Sequence, residues 1–180
     1  NVTLALILNV DSFLFSSDYR APEKLAQLVT QLSGRAGREN KPGEVWLQSY
    51  QVGHPLLQDL VNNGYSHFAR TLLSERIAAK LPPASYQAAI RVEHSELAPI
   101  LNFLEYAGQL LEQFKQLEFV GPFPAGVEKK QGRYRFITVA QSNSSAYLVK
   151  AMQQAKEALE KHQFAAKLRW IVDIMPTDFS

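Results

Sequence analysis

The sequence contains no cysteine, so neither a disulfide nor a thiolate-held metal can form within it. No run of about 18 apolar residues occurs, which excludes an ordinary membrane-spanning helix. The apolar opening, Val2 to Val10, is short and lacks a basic flank, and does not read as a signal peptide. Net charge is only +2 over 180 residues, so bulk charge identifies no partner. Low-complexity tracts and internal repeats are missing too. What is present is a globular composition, 46% apolar and 20% charged, enough for one ordinary domain or two small ones. A cytosolic address fits, and a monomer is expected.

Charge is informative through its distribution. From Arg20 to Lys41 there are five basic and two acidic residues, and from Glu128 to Arg135 four basic and one acidic. From Glu93 to Glu118 the balance reverses, with five acids and one lysine. The two basic stretches are candidates to meet phosphate, or else ordinary solvated faces.

Hydrophobic spacing divides the chain into three parts: residues 1–53, 54–83 and 84–180. In the first, Val2 to Val10 is apolar on both faces, as in a buried parallel strand. A loop is expected next, then a helix opened by Pro22 with Leu25, Leu28, Val29 and Leu32 inside and Gly34 as its stop. A second strand is expected from Val45 to Tyr50. About fifty residues cannot cover both faces of a parallel sheet, so more of this α/β unit is expected upstream. The middle part reads as two helices, one from Pro55 to about Gly64 and one from Tyr65 to Lys80, stopped by Pro82 and Pro83. The last part reads βαββαβ: strands at Ala84 to Glu93, Glu118 to Phe123, Arg133 to Gln141 and Lys167 to Ile174. Helices from about Glu96 to Leu117 and from an Asn143 or Ser144 cap to about His162 complete it. That order predicts an α+β, ferredoxin-like domain with one sheet face covered by two helices.

Two segments carry chemistry. Gln31, Gly34, Arg35, Gly37 and Arg38 follow directly on the first amphipathic helix, putting two guanidinium forks on a tight turn. Phosphoryl transfer needs positive charge where it builds up on a γ-phosphate, and arginine grips two phosphate oxygens without ever deprotonating. Asp11 sits at the carboxyl end of a parallel strand, where such sheets place ligands, or else caps a loop. The second segment is Lys129, Lys130, Arg133, Tyr134, Arg135 and Phe136, basic residues interleaved with rings, as single-stranded nucleic acid requires. Alternation puts Tyr134 and Phe136 on one face and Arg133 and Arg135 on the other. We favour rings in the core and arginines toward phosphate. Trp46 and Trp170 are expected in the core. His67, His94 and His162 are expected at the surface and His54 at a helix start. No metal-ligand spacing occurs.

The segment from Gln31 to Arg38 resembles the sixth motif of superfamily-2 helicases. Its surroundings resemble the primosomal protein N′ family of replication-restart helicases: Val10 to Phe15, Asp18 to Glu23, Gly43 to Gln48, His54 to Leu57, Leu81 to Pro83, Gly121 to Ala125, Arg133 to Phe136 and Trp170 to Asp173. The resemblance implies a 3′-to-5′ DNA helicase, with residues 1–53 a remnant of the second RecA-like lobe, 54–83 a helical bridge and 84–180 the carboxyl-terminal domain. It implies ATP and Mg²⁺ as cofactors, Arg38 as the finger on the γ-phosphate with Arg35 beside it, and Gln31 positioning the finger. It implies Asp11 and Gly34 near the nucleotide. The family's phosphate loop and zinc-binding cysteines would precede this chain, and no G-x-x-x-x-G-K-[ST] occurs in it. Stalled replication forks, single-stranded DNA, the single-stranded DNA-binding protein and other primosome proteins are the implied partners, on the bacterial nucleoid. Family members carry more basic charge at the start of the last helix than Ser144, Ser145, Ala146 and Tyr147 provide here. Two rival readings are a self-standing RNA-recognition-type module and a pure interaction domain. Against the first, Lys130 to Val139 lacks that module's Gly-aromatic start.

Overall fold

In the computed structural model, which describes residues 3–16, 18–36, 43–176 and 179, β1 (Leu4–Ile7) pairs in parallel with β2 (Glu44–Leu47). Both strands are shorter than the stretches expected for them, Val2 to Val10 and Val45 to Tyr50. Asn9 takes a left-handed φ of 53° and turns the chain out of β1 into α1 (Asp11–Leu14), a short helix where a loop was expected. The next helix, α2 (Ala21–Ser33), carries Pro22 in its first turn and buries Leu25 and Ala26. It ends at Gly34, but with φ −71°, so this glycine is not a left-handed stop. Ile7, Val10, Leu25, Leu57, Leu60 and Phe68 pack together in this part. Leu4, Leu6 and Trp46 stay exposed, because the two-stranded sheet has a helix on one face only among the described residues. Trp46 is 58% exposed, contrary to its expected place in the core.

The expected pair of helices is present within α3 (Pro55–Ala78), the two separated at Gly64, whose φ of 73° interrupts the helical path. Its Leu57, Leu60, Phe68 and Leu72 belong to the same core as β1 and α2. The chain divides into two compact units, Asn1–Glu75 and Arg76–Ser180, and the 54–83 segment is split between them.

The second unit follows the order β3 (Tyr86–His94), α4 (Leu97–Leu111), β4 (Glu118–Lys130), β5 (Arg133–Ser142), α5 (Ser145–Leu159) and β6 (Arg169–Ile174). The sheet order is β4-β5-β3-β6 with antiparallel neighbours throughout. Both helices cover one face. Ile90, Val92, Phe103, Leu104, Phe136, Leu148 and Met152 make the shared core beneath them. Ser144 caps α5, its Oγ accepting the N–H of Tyr147 at 3.3 Å.

The strand expected to stop at Phe123 runs on to Lys130. Pro122 and Pro124 are tolerated because β4 is an edge strand, where a missing N–H costs no ladder bond. Register slips on either side of Phe123 and Pro124 absorb the irregularity. Gly121 is required there. Its φ is 123°, and a Cβ would stand 2.8 Å from the Ile137 carbonyl oxygen and 2.9 Å from Thr138 Cα.

Candidate nucleic-acid interface and phosphate-facing turn

The basic segment is shaped by a two-residue hairpin. Gln131 (φ 50°) and Gly132 (φ 78°) both take left-handed backbone angles, the requirement of a type I′ turn, and glycine supplies the second at no steric cost. The turn sets Lys130 directly opposite Arg133. Alternation along β5 then separates the side chains. Tyr134 and Phe136 point to the helix-covered core, whereas Arg133 and Arg135 lie on the opposite face, which is open at its hairpin end; farther along it Ile137 and Val139 are buried in a small apolar cluster with Ala125, Phe123 and Phe179.

The structure rearranges the expected cluster. Lys129 pairs with Tyr134 in register, and its ammonium stands 4.4 Å from the centre of that ring, so it sits apart from the open-face cations. Arg135 lies beside Glu93, its Nε donating to Oε1 at 3.0 Å. Arg169, on the far side of β3, also reaches Glu93, with Nη1 3.7 Å from Oε2. Sequence reasoning missed Arg169 because it lies 34 residues beyond Arg135 and meets the cluster only through strand register. Lys130, Arg133, Arg135 and Arg169 line a shallow cleft of about 230 Å³ with Glu93, four cations to one carboxylate. Such an arrangement can hold a chain of phosphates, with no ring in the cleft lining to stack on a base.

In the first unit, Gln31 and Arg35 lie one turn apart at the end of α2, both exposed. Arg35 makes no hydrogen bond or ion pair through its guanidinium among the described residues. Gly34 is exposed beside it. Arg38 and Gly37 lie outside the described residues. Asp11 has other business. Its Oδ1 accepts the Ser49 hydroxyl at 2.9 Å and its Oδ2 the Tyr50 N–H at 3.0 Å, tying the start of α1 to the segment after β2. Partial burial pushes this carboxyl up, but the Tyr50 and Ser49 bonds outweigh it and hold the pKa below the usual aspartate value. With both oxygens engaged, Asp11 fits a structural tie better than a free ligand for a metal-bound nucleotide. An apolar groove of about 660 Å³ between α2, β2 and α3 has no charged side chain in its lining and suits no phosphate.

The histidines do local work. His54 Nδ1 accepts the Leu56 N–H at 3.3 Å at the start of α3, and His94 Nδ1 accepts the Glu96 N–H at 3.1 Å just before α4. His67 pairs with Asp59 at 2.6 Å. His162 departs from its expected surface place, stacking on Tyr106 at 4.9 Å and meeting Phe103 edge-on at 5.3 Å. Among the described residues no group of three or more His, Cys, Asp or Glu is placed to hold a metal ion, and no helix is long and apolar enough to cross a membrane.

Residues 78–177 match the family model described as the Primosomal protein N C-terminal domain. The chain belongs to that family. The primosomal protein N C-terminal domain match contains all of β3 to β6 and therefore every cation of the open-face cleft. Similarity extends beyond it. Replication restart protein PriA of Haemophilus influenzae is 44% identical over 185 residues, covering 100% of this chain and 25% of that protein. Replication restart protein PriA of Bacillus subtilis is 32% identical, covering 89% of this chain and 21% of that protein. The chain thus spans about a quarter of the length of these relatives. A de novo designed protein, Foldit4, matches 51% of the chain and 97% of its own length at a TM-score of 0.41 and 8% identity, too slight a likeness to bear on the fold.

Proposed function

We propose that this chain is the carboxyl-terminal part of an ATP-dependent, 3′-to-5′ replication-restart DNA helicase, and that its second unit grips the DNA backbone through the open face of its sheet. The observation that carries the DNA-gripping role is the alignment of Lys130, Arg133, Arg135 and Arg169 on the face opposite the helices. The order βαββαβ with sheet order β4-β5-β3-β6 supports reading that unit as a ferredoxin-like domain. The parallel pair β1–β2 with α2 supports reading the first unit as part of a RecA-like lobe whose remaining strands would cover Leu4, Leu6 and Trp46. Helices 55–63 and 65–78 would serve as the bridge toward residues 84–180.

Bound ATP and its Mg²⁺ would supply phosphoryl transfer. Of this chain, Arg38 would meet the γ-phosphate with Arg35 beside it, and Gln31 would hold the finger in place. Gly34 would let the turn approach the nucleotide. Zinc would be held elsewhere in the longer protein, since cysteine is absent here. Stalled forks, the single-stranded DNA-binding protein and primosome proteins would be the partners, on the bacterial nucleoid. The rival RNA-recognition-type reading loses its main support, because Tyr134 and Phe136 face the core rather than a ligand.

The test is binding of a labelled oligothymidylate to the full 180-residue chain across a range of salt. Replacing Lys130 and Arg133 together with alanine is expected to flatten the log-affinity against log-salt slope by about 1.4, roughly 0.7 for each lost contact to a single strand. An unchanged slope would reduce the cleft to a solvated turn.

A further inference from the structure

The four cations of the cleft differ in how they are held. Lys130 and Arg133 stand at the hairpin end of the sheet. Arg135 and Arg169 project from the two strands that flank β3, and Glu93 lies between them in one register row: Glu93 opposite Arg135 on β5 and opposite Arg169 on β6. Its two oxygens are divided between them, Oε1 to Arg135 and Oε2 to Arg169. Neighbouring strands lie about 4.8 Å apart, so two guanidinium groups rooted on β5 and β6 start about 10 Å from each other. Long side chains with that much freedom lose entropy when a ligand gathers them, and a carboxylate between them removes part of the cost in advance. The bond to Arg135 uses Nε, the inner nitrogen, so the outer amino groups of the fork remain for a ligand.

A purely stabilising role accounts for the arrangement poorly. The Arg169 side chain is 74% exposed, and ion pairs so exposed contribute little to folding. A carboxylate in the middle of a phosphate-binding cleft also repels its ligand, unless it acts on the cations.

We propose that Arg169 is a phosphate-contacting residue of the open-face site and that Glu93 is its positioning residue, holding Arg135 and Arg169 side by side to meet the nucleic-acid backbone together. This rests on the nucleic-acid reading given above. Charge and positioning make opposite predictions for Glu93. By charge alone, Glu93→Gln removes a repulsion and tightens binding. By positioning, it frees both arginines and weakens binding although the protein has become more basic.

The experiment is oligothymidylate binding by the full chain over a salt series, with thermal melting of each variant alongside. Arg169→Ala is expected to lower the salt slope by about 0.7, one contact on a single strand. Glu93→Gln is expected to weaken binding at low salt and to lower the slope by between one and two such contacts, about 0.7 to 1.4. Glu93→Asp, which keeps the charge, is expected to restore most of the slope, a recovery that altered stability alone would not produce. In the Glu93→Gln background, Arg169→Ala should then change the slope less than it does alone. Tighter binding by Glu93→Gln with an undiminished slope overturns the positioning role, and an unchanged slope for Arg169→Ala removes Arg169 from the site. If Lys130→Ala with Arg133→Ala is also silent, the nucleic-acid reading itself has failed. If that pair lowers the slope while Glu93→Gln and Arg169→Ala do nothing, only the present inference has. Should Glu93→Gln not fold, Arg169→Gln reads the same pair from its exposed side, and an undiminished slope there is equally decisive.

Discussion

The two units solve the problem of a sheet in different ways. The first has two parallel strands, a kind of sheet that is stable when both faces are covered, yet leaves Leu4, Leu6 and Trp46 in solvent. The second has four antiparallel strands, which need only one covered face, and sets both helices on that face. Its other face buries only a small apolar patch around Ile137 and Val139 and elsewhere carries charge: Arg91 pairs with Asp173 at 3.3 Å and Arg135 with Glu93 at 3.0 Å. Parallel pairing makes the first unit dependent on further cover, whereas antiparallel pairing lets the second keep a polar working surface beside a complete core.

Deleting core volume in each unit is the strongest way to break this comparison. Leu104 is 1% exposed beneath the second sheet and Leu25 is 1% exposed in the first unit. Leu104→Ala should cost about 2–5 kcal/mol, because the tightly packed surroundings cannot collapse onto the void. Leu25→Ala should cost less, at the low end of that range, since its neighbourhood is smaller and closer to solvent. Hydrogen exchange read by peptide would show protection lost within the altered unit. Protection lost in both units from either substitution would show that the cores are not separate in energy.

A smaller effect is expected at the edge of the second sheet. Gly121→Ala must place a Cβ 2.8 Å from the Ile137 carbonyl oxygen and 2.9 Å from Thr138 Cα, with φ at 123°, and the β5 backbone there has little room to give. We expect a loss of about 1–3 kcal/mol, with protection falling along β4 while α4 and α5 keep theirs. A neutral Gly121→Ala would mean that the bulge shifts freely and that the position of Lys130 is not set by the strand before it.

Much of this fold is legible in the residues, for identifiable reasons. Tyr134 and Phe136 alternate with Arg133 and Arg135, and period-two alternation puts the rings inward as expected. Gly64 breaks a helical pattern and does so in the structure, and Ser144 caps the helix it precedes. The extension of β4 through Pro122 and Pro124 is not legible, because proline is compatible with an edge strand and edge position is a property of the whole sheet. Trp46 departs from expectation for a related reason: an apolar strand says that a face wants cover, not that it has it. In the candidate site, Lys130, Arg133 and Arg135 come from one sequence cluster, while Glu93 and Arg169 join them only through register across β3. No window of sequence contains that row.

The smallest effect concerns acid, and it bears on the first unit. Asp11 joins α1 to the segment after β2 through Ser49 and Tyr50. Burial pushes its carboxyl up, but the Tyr50 N–H and Ser49 hydroxyl bonds prevail and its pKa is lowered from the ordinary 3.8. Asp59 is lowered as well, chiefly by its bond from Asn63, with burial opposing and His67 assisting. A carboxyl whose folded pKa is depressed stabilises the fold above its unfolded pKa and loses that contribution as pH falls through the folded value. Both ties are therefore whole at neutral pH and fade below about pH 3.8, the unfolded reference. Asp11→Asn keeps an acceptor for one of the two bonds and removes the titration. Exchange protection around Asn9, Asp11 and Tyr50, corrected for the intrinsic rate, should hold down to about pH 3.8 in the wild type and fall as pH is lowered further, and should be lower but flatter in Asp11→Asn. A wild-type profile flat over that range, or one as steep in the variant, would show that the link between α1 and β2 does not depend on the charge of Asp11.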